Sequence, residues 1–313
     1  MVRHGFYQSL NRAAYPHRFL DYMEEQGRDG FSAGALDCAG QLCPTDVPAS
    51  IALQINGALD AGLAFPGEPL LVQADPGQLY AAHQLATRPW PELVTANIDD
   101  PSPEQIHHVI AYTKDAHRSY FRSSMFVHGG LLREAKKNEP EQGLLGETAD
   151  IWIIQAHTWQ HDTEKNAKAL GKELWAAYAC EATGSYDTMR YLSGLWCWAH
   201  KPKQLLVWAY THTGETMVRP NGAISKPTGD QHSYVIPKCD GTTMKTPGYD
   251  GYVAGMQDCR LLEAAENSTD PKVQEYIKFV RGSVPPAMLR PGKTLPALQG
   301  DEMRSKLVAK VGG

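Results

Sequence analysis

Short, nearly continuous apolar runs recur along the chain between longer stretches with three-to-four-residue periodicity. His4–Gln8 (HGFYQ), Gly30–Leu36, Leu70–Ala74 (LLVQA), Leu93–Ile98, Ser123–His128 (SSMFVH), Ile151–Ala156 (IWIIQA), Leu174–Cys180 (LWAAYAC) and Leu205–Tyr210 (LLVWAY) read as strands. Between them, Pro16–Gln26, Ser50–Leu63, Gly77–Thr87, the stretch from Pro101 to His117, Thr163–Leu170 and Tyr186–Ala199 read as helices. In the second of these, Ile51, Ile55 and Leu59 fall on one helical face. Eight strands interleaved with helices predict an α/β fold, a single (β/α)8 TIM barrel, in preference to an open doubly wound sheet.

Beyond the eighth strand the pattern changes. Thr213–Pro247 is rich in Gly, Pro and Thr and reads as a long loop, followed by helices over Tyr252–Ala265 and Pro271–Val280. From Pro285 onward the chain is rich in Pro, Gly and charge and reads as a tail on the outside of the barrel. The expected division is therefore a barrel domain over residues 1–283 and a C-terminal extension over 284–313. A length of 313 residues suits one barrel plus such a tail.

Composition narrows the classes of function. The 42% hydrophobic and 21% charged content is that of a soluble globular protein with a large core. A net charge of −5, with no concentrated basic segment, argues against a nucleic-acid partner and against an anionic membrane surface. The N-terminal segment lacks a signal-peptide pattern, and no run approaches the ~20 apolar residues of a membrane-spanning helix, so no membrane insertion is expected. Compartment and oligomeric state stay open. Asn267-Ser268-Thr269 matches a glycosylation sequon, a triplet common by chance. The six cysteines show no Cys-x-x-Cys pair, which argues against structural zinc; Cys38 and Cys43 would close a short loop in an oxidising compartment.

The strongest chemical signal is LVTANIDDP, Leu93 to Pro101, where an apolar strand runs into two adjacent carboxylates, Asp99 and Asp100. The C-terminal ends of barrel strands are where this fold carries its chemistry. The other strand ends add Asp37, Asp75, His128, His157, Trp159, Glu181, Tyr210 and His212, with Trp208 just before them on the eighth strand. Acids, imidazoles and aromatics in one ring suit sugar cleavage. Carboxylates protonate the glycosidic oxygen and stabilise an oxocarbenium-like transition state, and aromatic faces stack on the ring. Each residue also has a plainer reading. Asp99 or Asp100 before Pro101 would serve as a helix N-cap. Glu181 would serve as a solvated loop acid, and a histidine at a strand end as a hydrogen-bonded scaffold. Trp152, Trp175, Trp196, Trp198 and Trp208 read mainly as core, which leaves Trp159 as the better stacking candidate.

Other chemistries lack their motifs. His157 and His161 have i,i+4 metal-pair spacing, but the glutamate of His-Glu-x-x-His is missing. His107 and His108 are adjacent in a helix and diverge. GLLGET at 143–148 lacks the P-loop lysine, and neither a Gly-x-Ser-x-Gly elbow nor a strand-linked Gly-x-Gly-x-x-Gly is present. Neither a metal nor an organic cofactor is expected.

The succession NIDDP, ADIWII, GKELWAAYAC, DTMRYLSGLWCW, QLLVWAYTH and DGYVAGMQDCRLLEAAE resembles the catalytic barrel of glycoside hydrolase family 123 over roughly residues 93–265. The resemblance implies a β-N-acetylhexosaminidase of GalNAc type, retaining, with a carbohydrate substrate and substrate-assisted catalysis. In that chemistry the 2-acetamido group attacks the anomeric carbon, an Asp orients it, and the next residue, a Glu, is the general acid. By position Asp99 matches the orienting group and Asp100 the acid. Asp100 departs from the family's Glu, and its carboxyl reaches about 1.5 Å less far. Asp37, His128, His157, Trp159, Trp208 and Tyr210 are then candidates for the sugar pocket. Two alternatives remain. One is a retaining hydrolase with Asp100 as acid/base and Glu181 as nucleophile on the seventh strand. The other is a catalytically lapsed, glycan-binding barrel.

Overall fold

The structure is a computed structural model. It describes residues 1–9, 18–37, 46–96, 105–127, 149–178, 185–210, 233–238, 240, 242–287 and 300–311. Eight parallel strands close into a barrel in chain order: β1 (Arg3–Ser9), β2 (Ala33–Asp37), β3 (Pro69–Gln73), β4 (Glu92–Ala96), β5 (Arg122–Val127), β6 (Ile151–Gln155), β7 (Glu173–Tyr178) and β8 (Gln204–Val207). Strand β8 returns to β1 with Leu205 opposite His4 and Val207 opposite Phe6. The expected (β/α)8 barrel is the fold observed.

A barrel strand is covered on both faces, so its sequence is nearly all apolar rather than alternating. Strand β6 illustrates this. Ile151 and Ile153 point into the lumen with Tyr7, Leu71, Val94, Phe126, Trp175 and Leu206. Trp152 and Ile154 point outward into the layer beneath the helices, with Phe6, Val72, Met125, Tyr178 and Val207. The lumen combines large rings with small partners. Gly5 lies so close to β2 that a Cβ there would sit 2.0 Å from the Ala33 carbonyl oxygen.

The helices are α1 (Phe19–Arg28), α2 (Val47–Asp60), α3 (Pro76–His83), α4 (Ile106–Arg118), α5 (His161–Ala169), α6 (Tyr186–Tyr191), α7 (Cys197–His200), α8 (Pro247–Glu266), α9 (Pro271–Gly282) and α10 (Gly300–Val311). Several start at a capping side chain followed by proline. Asp46 accepts from the Ala49 amide, Asp75 from Gly77 and Gln78, Thr246 from Tyr249, and Asp270 from Lys272. Between α6 and α7, Leu192–Trp196 winds as a π-helical segment. It packs against α8 at a close crossing: a Cβ on Gly255 would lie 2.0 Å from Ser193 Oγ and 2.5 Å from the Arg190 carbonyl.

Beyond β8 the chain holds more regular structure than its sequence pattern declares. The stretch read as one long loop contains an antiparallel pair, β9 (Val235–Pro237) and β10 (Thr243–Lys245). The stretch read as a tail contains α10, whose Met303 and Leu307 are buried. Both elements are short or weakly amphipathic, and tertiary contacts fix them. Thr243 Oγ1 donates to Glu25 of α1 at 2.9 Å, and Lys245 pairs with Asp29 at 2.6 Å. Helix α10 is held by ion pairs of Arg190 with Asp301 and of Arg304 with Asp258.

The N-terminal end of the barrel is closed by charge and hydrogen bonds. Arg3 donates to the carbonyls of Ser32 and Pro69 at 2.7 and 3.1 Å, and Arg122 pairs with Glu92 and Glu173. Inside this end, His4 is buried edge-on against Tyr252, and burial and then the neighbouring Arg260 push its imidazole down to about 3. A histidine held neutral this way binds fewer protons when folded than when unfolded, where it titrates near 6.5. Its contribution to stability is full above pH 6.5 and drains as pH falls toward 3, by about 1.4 kcal/mol per pH unit. Urea midpoints measured from pH 7 to 3.5 should therefore fall steeply in the parent. They should fall less steeply in His4→Leu, and equal slopes would show that His4 is not the acid-sensitive group.

Candidate active site

The C-terminal strand ends form the mouth of the barrel. Asp37 closes β2 in register with Ser9 and with Gln73 of β3. Strand β4 ends at Ala96, opposite Ser124, and residues 97–104 lead from it to α4. Asp99, Asp100, His128, Glu181 and His212 lie outside the described residues, as do Cys38, Cys43 and the GLLGET stretch. The N-cap position of α4 is Gln105, whose own side chain makes no capping hydrogen bond.

The described candidates separate into two environments. Trp208 packs on top of the lumen cluster, its ring 4.9 Å from that of Tyr7, and it is partly exposed. The peptide that follows it, Trp208–Ala209, is cis. Gln155 ends β6, and half-buried His157 follows in a 3-10 turn, Ala156–Thr158. Trp208 and His157 are thus at the mouth end of the strands.

Trp159 and Tyr210 belong to the outer layer instead. The 3-10 turn carries Trp159 under the helices, where it is fully buried against Trp196 and donates from Nε1 to Glu164 at 3.0 Å. Tyr210 packs against Phe6, Tyr22 and Tyr249 and donates to Glu25 Oε2 at 2.7 Å. Burial and then the Glu25 carboxylate hold its phenol well above its ordinary range. Asp75, another strand-end acid, is occupied as the cap of α3. Of the tryptophans read as core, Trp152, Trp175, Trp196 and Trp198 are fully buried. Asn267 of the sequon is exposed at the C-cap of α8.

The structure adds groups that the sequence did not flag. Ser123, His117 and Asp150 come together at the opposite end of β5. His117 Nε2 is 2.8 Å from Asp150 Oδ2 and 3.4 Å from Ser123 Oγ. A nucleophilic triad needs its histidine to contact serine and acid through different nitrogens. Here one nitrogen faces both, so the cluster is structural. Burial would raise the Asp150 carboxyl, but the Ser123 amide and His117 outweigh it and hold the group below its ordinary range. At the mouth, Tyr112 of α4 reaches the ends of β3 and β4, donating to the Ala74 carbonyl at 2.6 Å and contacting Thr95 Oγ1. A tyrosine in a helix otherwise read by its apolar face carries no sequence signal for such a role.

A cleft of about 830 Å³ lies at the N-terminal end of the barrel, bordered by Val2, Glu173, Lys201, Lys203, Arg260 and Glu263. Its lysines are committed to ion pairs, Lys201 with Glu266 and Lys203 with Glu68. In this fold the N-terminal end serves stability and the C-terminal end chemistry. Among the described residues no group of three or more His, Cys, Asp or Glu side chains could hold a metal ion, and no helix is long and apolar enough to cross a membrane.

Comparison with known proteins places the fold. No protein-family model matches the chain, and no curated protein matches it in sequence. Among solved structures, a family 123 glycoside hydrolase from Clostridium perfringens, described as acting in glycolipid glycan hydrolysis, is similar over 99% of this chain and 68% of that chain. Its TM-score is 0.59 and its identity 11%. A putative dihydrodipicolinate synthetase from Pseudomonas aeruginosa aligns over 99% of both chains, with TM-score 0.43 and 10% identity. An N-acetylneuraminic acid synthetase from Leptospira borgpetersenii aligns over 90% of this chain and 92% of that one, with TM-score 0.46 and 11% identity. At 11% identity the likeness to the hydrolase is one of fold.

Proposed function

We propose that this protein is a glycoside hydrolase of the retaining β-N-acetylhexosaminidase kind, using the substrate's own 2-acetamido group as nucleophile. The observation that carries the reading is positional. Asp99 and Asp100 belong to the connection that leaves the C-terminal end of β4 in a closed parallel barrel, while the N-cap of the next helix is Gln105. Paired acids in such a connection fit catalysis better than capping. The motif resemblance over residues 93–265 and the fold likeness to a family 123 hydrolase support the same direction.

In this reading Asp99 orients the acetamido group and Asp100 protonates the leaving oxygen. The negative charge of Asp99 would raise the Asp100 pKa toward that of a working acid. Partly exposed Trp208 and half-buried His157 are the described residues best placed to meet a sugar. Trp159 and Tyr210, in the outer layer, support the mouth from behind. No cofactor is invoked.

A second reading rests on strand numbering. Strand β7 ends at Tyr178 and Glu181 follows three residues later, so Asp100 and Glu181 would follow strands four and seven. An acid/base and a nucleophile in those places would cleave without an acetamido group.

A panel of 4-nitrophenyl β-glycosides, paired with and without the 2-acetamido group, separates these readings. Turnover of the 2-acetamido-2-deoxy-galactoside and glucoside at least about 100-fold faster than their 2-hydroxy counterparts is expected, because the hydroxyl sugar lacks the nucleophile and its effective molarity. Equal turnover of the two sets would favour Asp100 with Glu181. Inactivity on every member would refute hydrolysis and leave a glycan-binding barrel.

A further inference from the structure

We infer that Tyr112 is a positioning residue for the acid pair, a clamp that fixes the end of β4 from which Asp99 and Asp100 emerge; this rests on the function proposed above. The geometry is a three-point knot. The Tyr112 hydroxyl donates to the Ala74 carbonyl at 2.6 Å, lies 3.4 Å from the Ala96 carbonyl, and is in contact with Thr95 Oγ1. Thr95 Oγ1 is itself 3.1 Å from the Ala74 carbonyl. One phenol therefore joins the last turn of chain on β3, the last two residues of β4 and the body of α4.

Each partner is chemically constrained. Thr95 is fully buried and faces outward from the barrel, so its hydroxyl has to be satisfied beneath α4. Ala74 and Ala96 are where the ladder between β3 and β4 stops: its last pair is Val72 with Thr95. Just beyond that pair, the Tyr112 hydroxyl supplies a donor to the Ala74 carbonyl. Burial, with a smaller effect from Asp75, pushes the phenol up to about 12, so it stays protonated and able to donate through the neutral range. Ala74 also precedes Asp75, the cap of α3, which anchors the other side of the knot.

The consequence for chemistry is geometric. Asp99 is three residues past Ala96 in the sequence, so in this scheme the strand end sets where the acid-bearing segment starts. Misplacement of a reacting group by about 1 Å costs on the order of 100-fold in rate. Tyr112 touches no reacting atom in this scheme; it acts through the backbone.

The test is Tyr112→Phe, measured beside Asp100→Asn on 4-nitrophenyl 2-acetamido-2-deoxy-β-galactoside. Tyr112→Phe should lower kcat about 10- to 100-fold with KM within about twofold, and should move the pH limb governed by the acid, while its thermal midpoint stays within a few degrees. Thr95→Val, which removes the second hydroxyl of the knot and keeps its shape, should repeat the kcat loss and stands in if Tyr112→Phe does not fold. An unchanged kcat and pH profile in both variants, with Asp100→Asn inactive, would overturn the clamp and leave the proposed function standing. Full activity in Asp100→Asn, or no turnover by the parent, would overturn both.

Discussion

Asp258→Ala should cost about 3–5 kcal/mol of stability, a large part of the 5–15 kcal/mol that holds a typical domain together. Asp258 is 2% exposed and lies on α8, where Arg190 Nε of α6 meets its Oδ2 at 2.7 Å and Arg304 of α10 meets its Oδ1. The arginine side chain at 190 is only 10% exposed. Removing the carboxylate leaves that guanidinium buried with Asp301, an exposed group, as its remaining acidic partner. A buried charge that loses its counter-ion pays desolvation without compensation, so truncation costs far more than the pair contributed in net terms. Asp258→Asn should cost less, because it keeps the volume and one acceptor oxygen. Urea denaturation reads both, and limited proteolysis should find α10 released first, because Arg304 loses its anchor. A loss below about 1 kcal/mol in Asp258→Ala would show that this junction does not hold the outer helices together.

Asp100→Asn should lower kcat by about 10²–10⁴-fold, the range expected when a positioned general acid is removed. Asparagine keeps the shape and cannot donate a proton to the leaving oxygen. The loss should depend on the leaving group. A 2,4-dinitrophenyl glycoside, whose leaving oxygen needs little protonation, should be affected much less than a sugar-linked substrate. In Asp99→Asn both substrates should lose rate alike, because the acetamido nucleophile is misdirected whichever group departs. A uniform loss across leaving groups in Asp100→Asn would remove Asp100 from the role of acid. Glu181→Gln separates the two hydrolase readings, since both need Asp100 and only the nucleophile reading makes Glu181 essential. The shorter reach of Asp100 relative to a glutamate gives one more measurable outcome. If the backbone of the β4–α4 connection compensates, Asp100→Glu should weaken the enzyme; if not, it should strengthen it.

The eight strands were legible in the chain because a barrel strand buried on both faces reads as an apolar run. Ile151–Gln155 and Gln204–Val207 declare themselves without reference to any partner. The helix starts at Asp75-Pro76 and Asp270-Pro271 are equally local: an acid satisfies the first amides, and proline needs no donor there. The acid pair after β4 was visible for the same reason, as a polar break at the end of an apolar run.

What tertiary structure alone decided is which layer each strand-end residue joins. Trp159 and Trp208 look alike in sequence, each an indole near a strand terminus. The 3-10 turn at Ala156–Thr158 sends the first beneath the helices, while the second stays on the lumen stack with Tyr7. The hairpin Val235–Lys245 and the helix Gly300–Val311 have too little periodic burial of their own to be read locally. They are held where Glu25 of α1, Asp29 just beyond α1 and Asp258 of α8 receive their side chains. The knot of Tyr112, Thr95 and Ala74 is of this kind as well, its members brought together by the pairing of β3 with β4 and the return of α4 to their ends. Apolar patterning is a property of neighbours in sequence and can be read from the chain. Partnership between single polar groups depends on a few ångströms of register between distant segments, and only the folded barrel sets that.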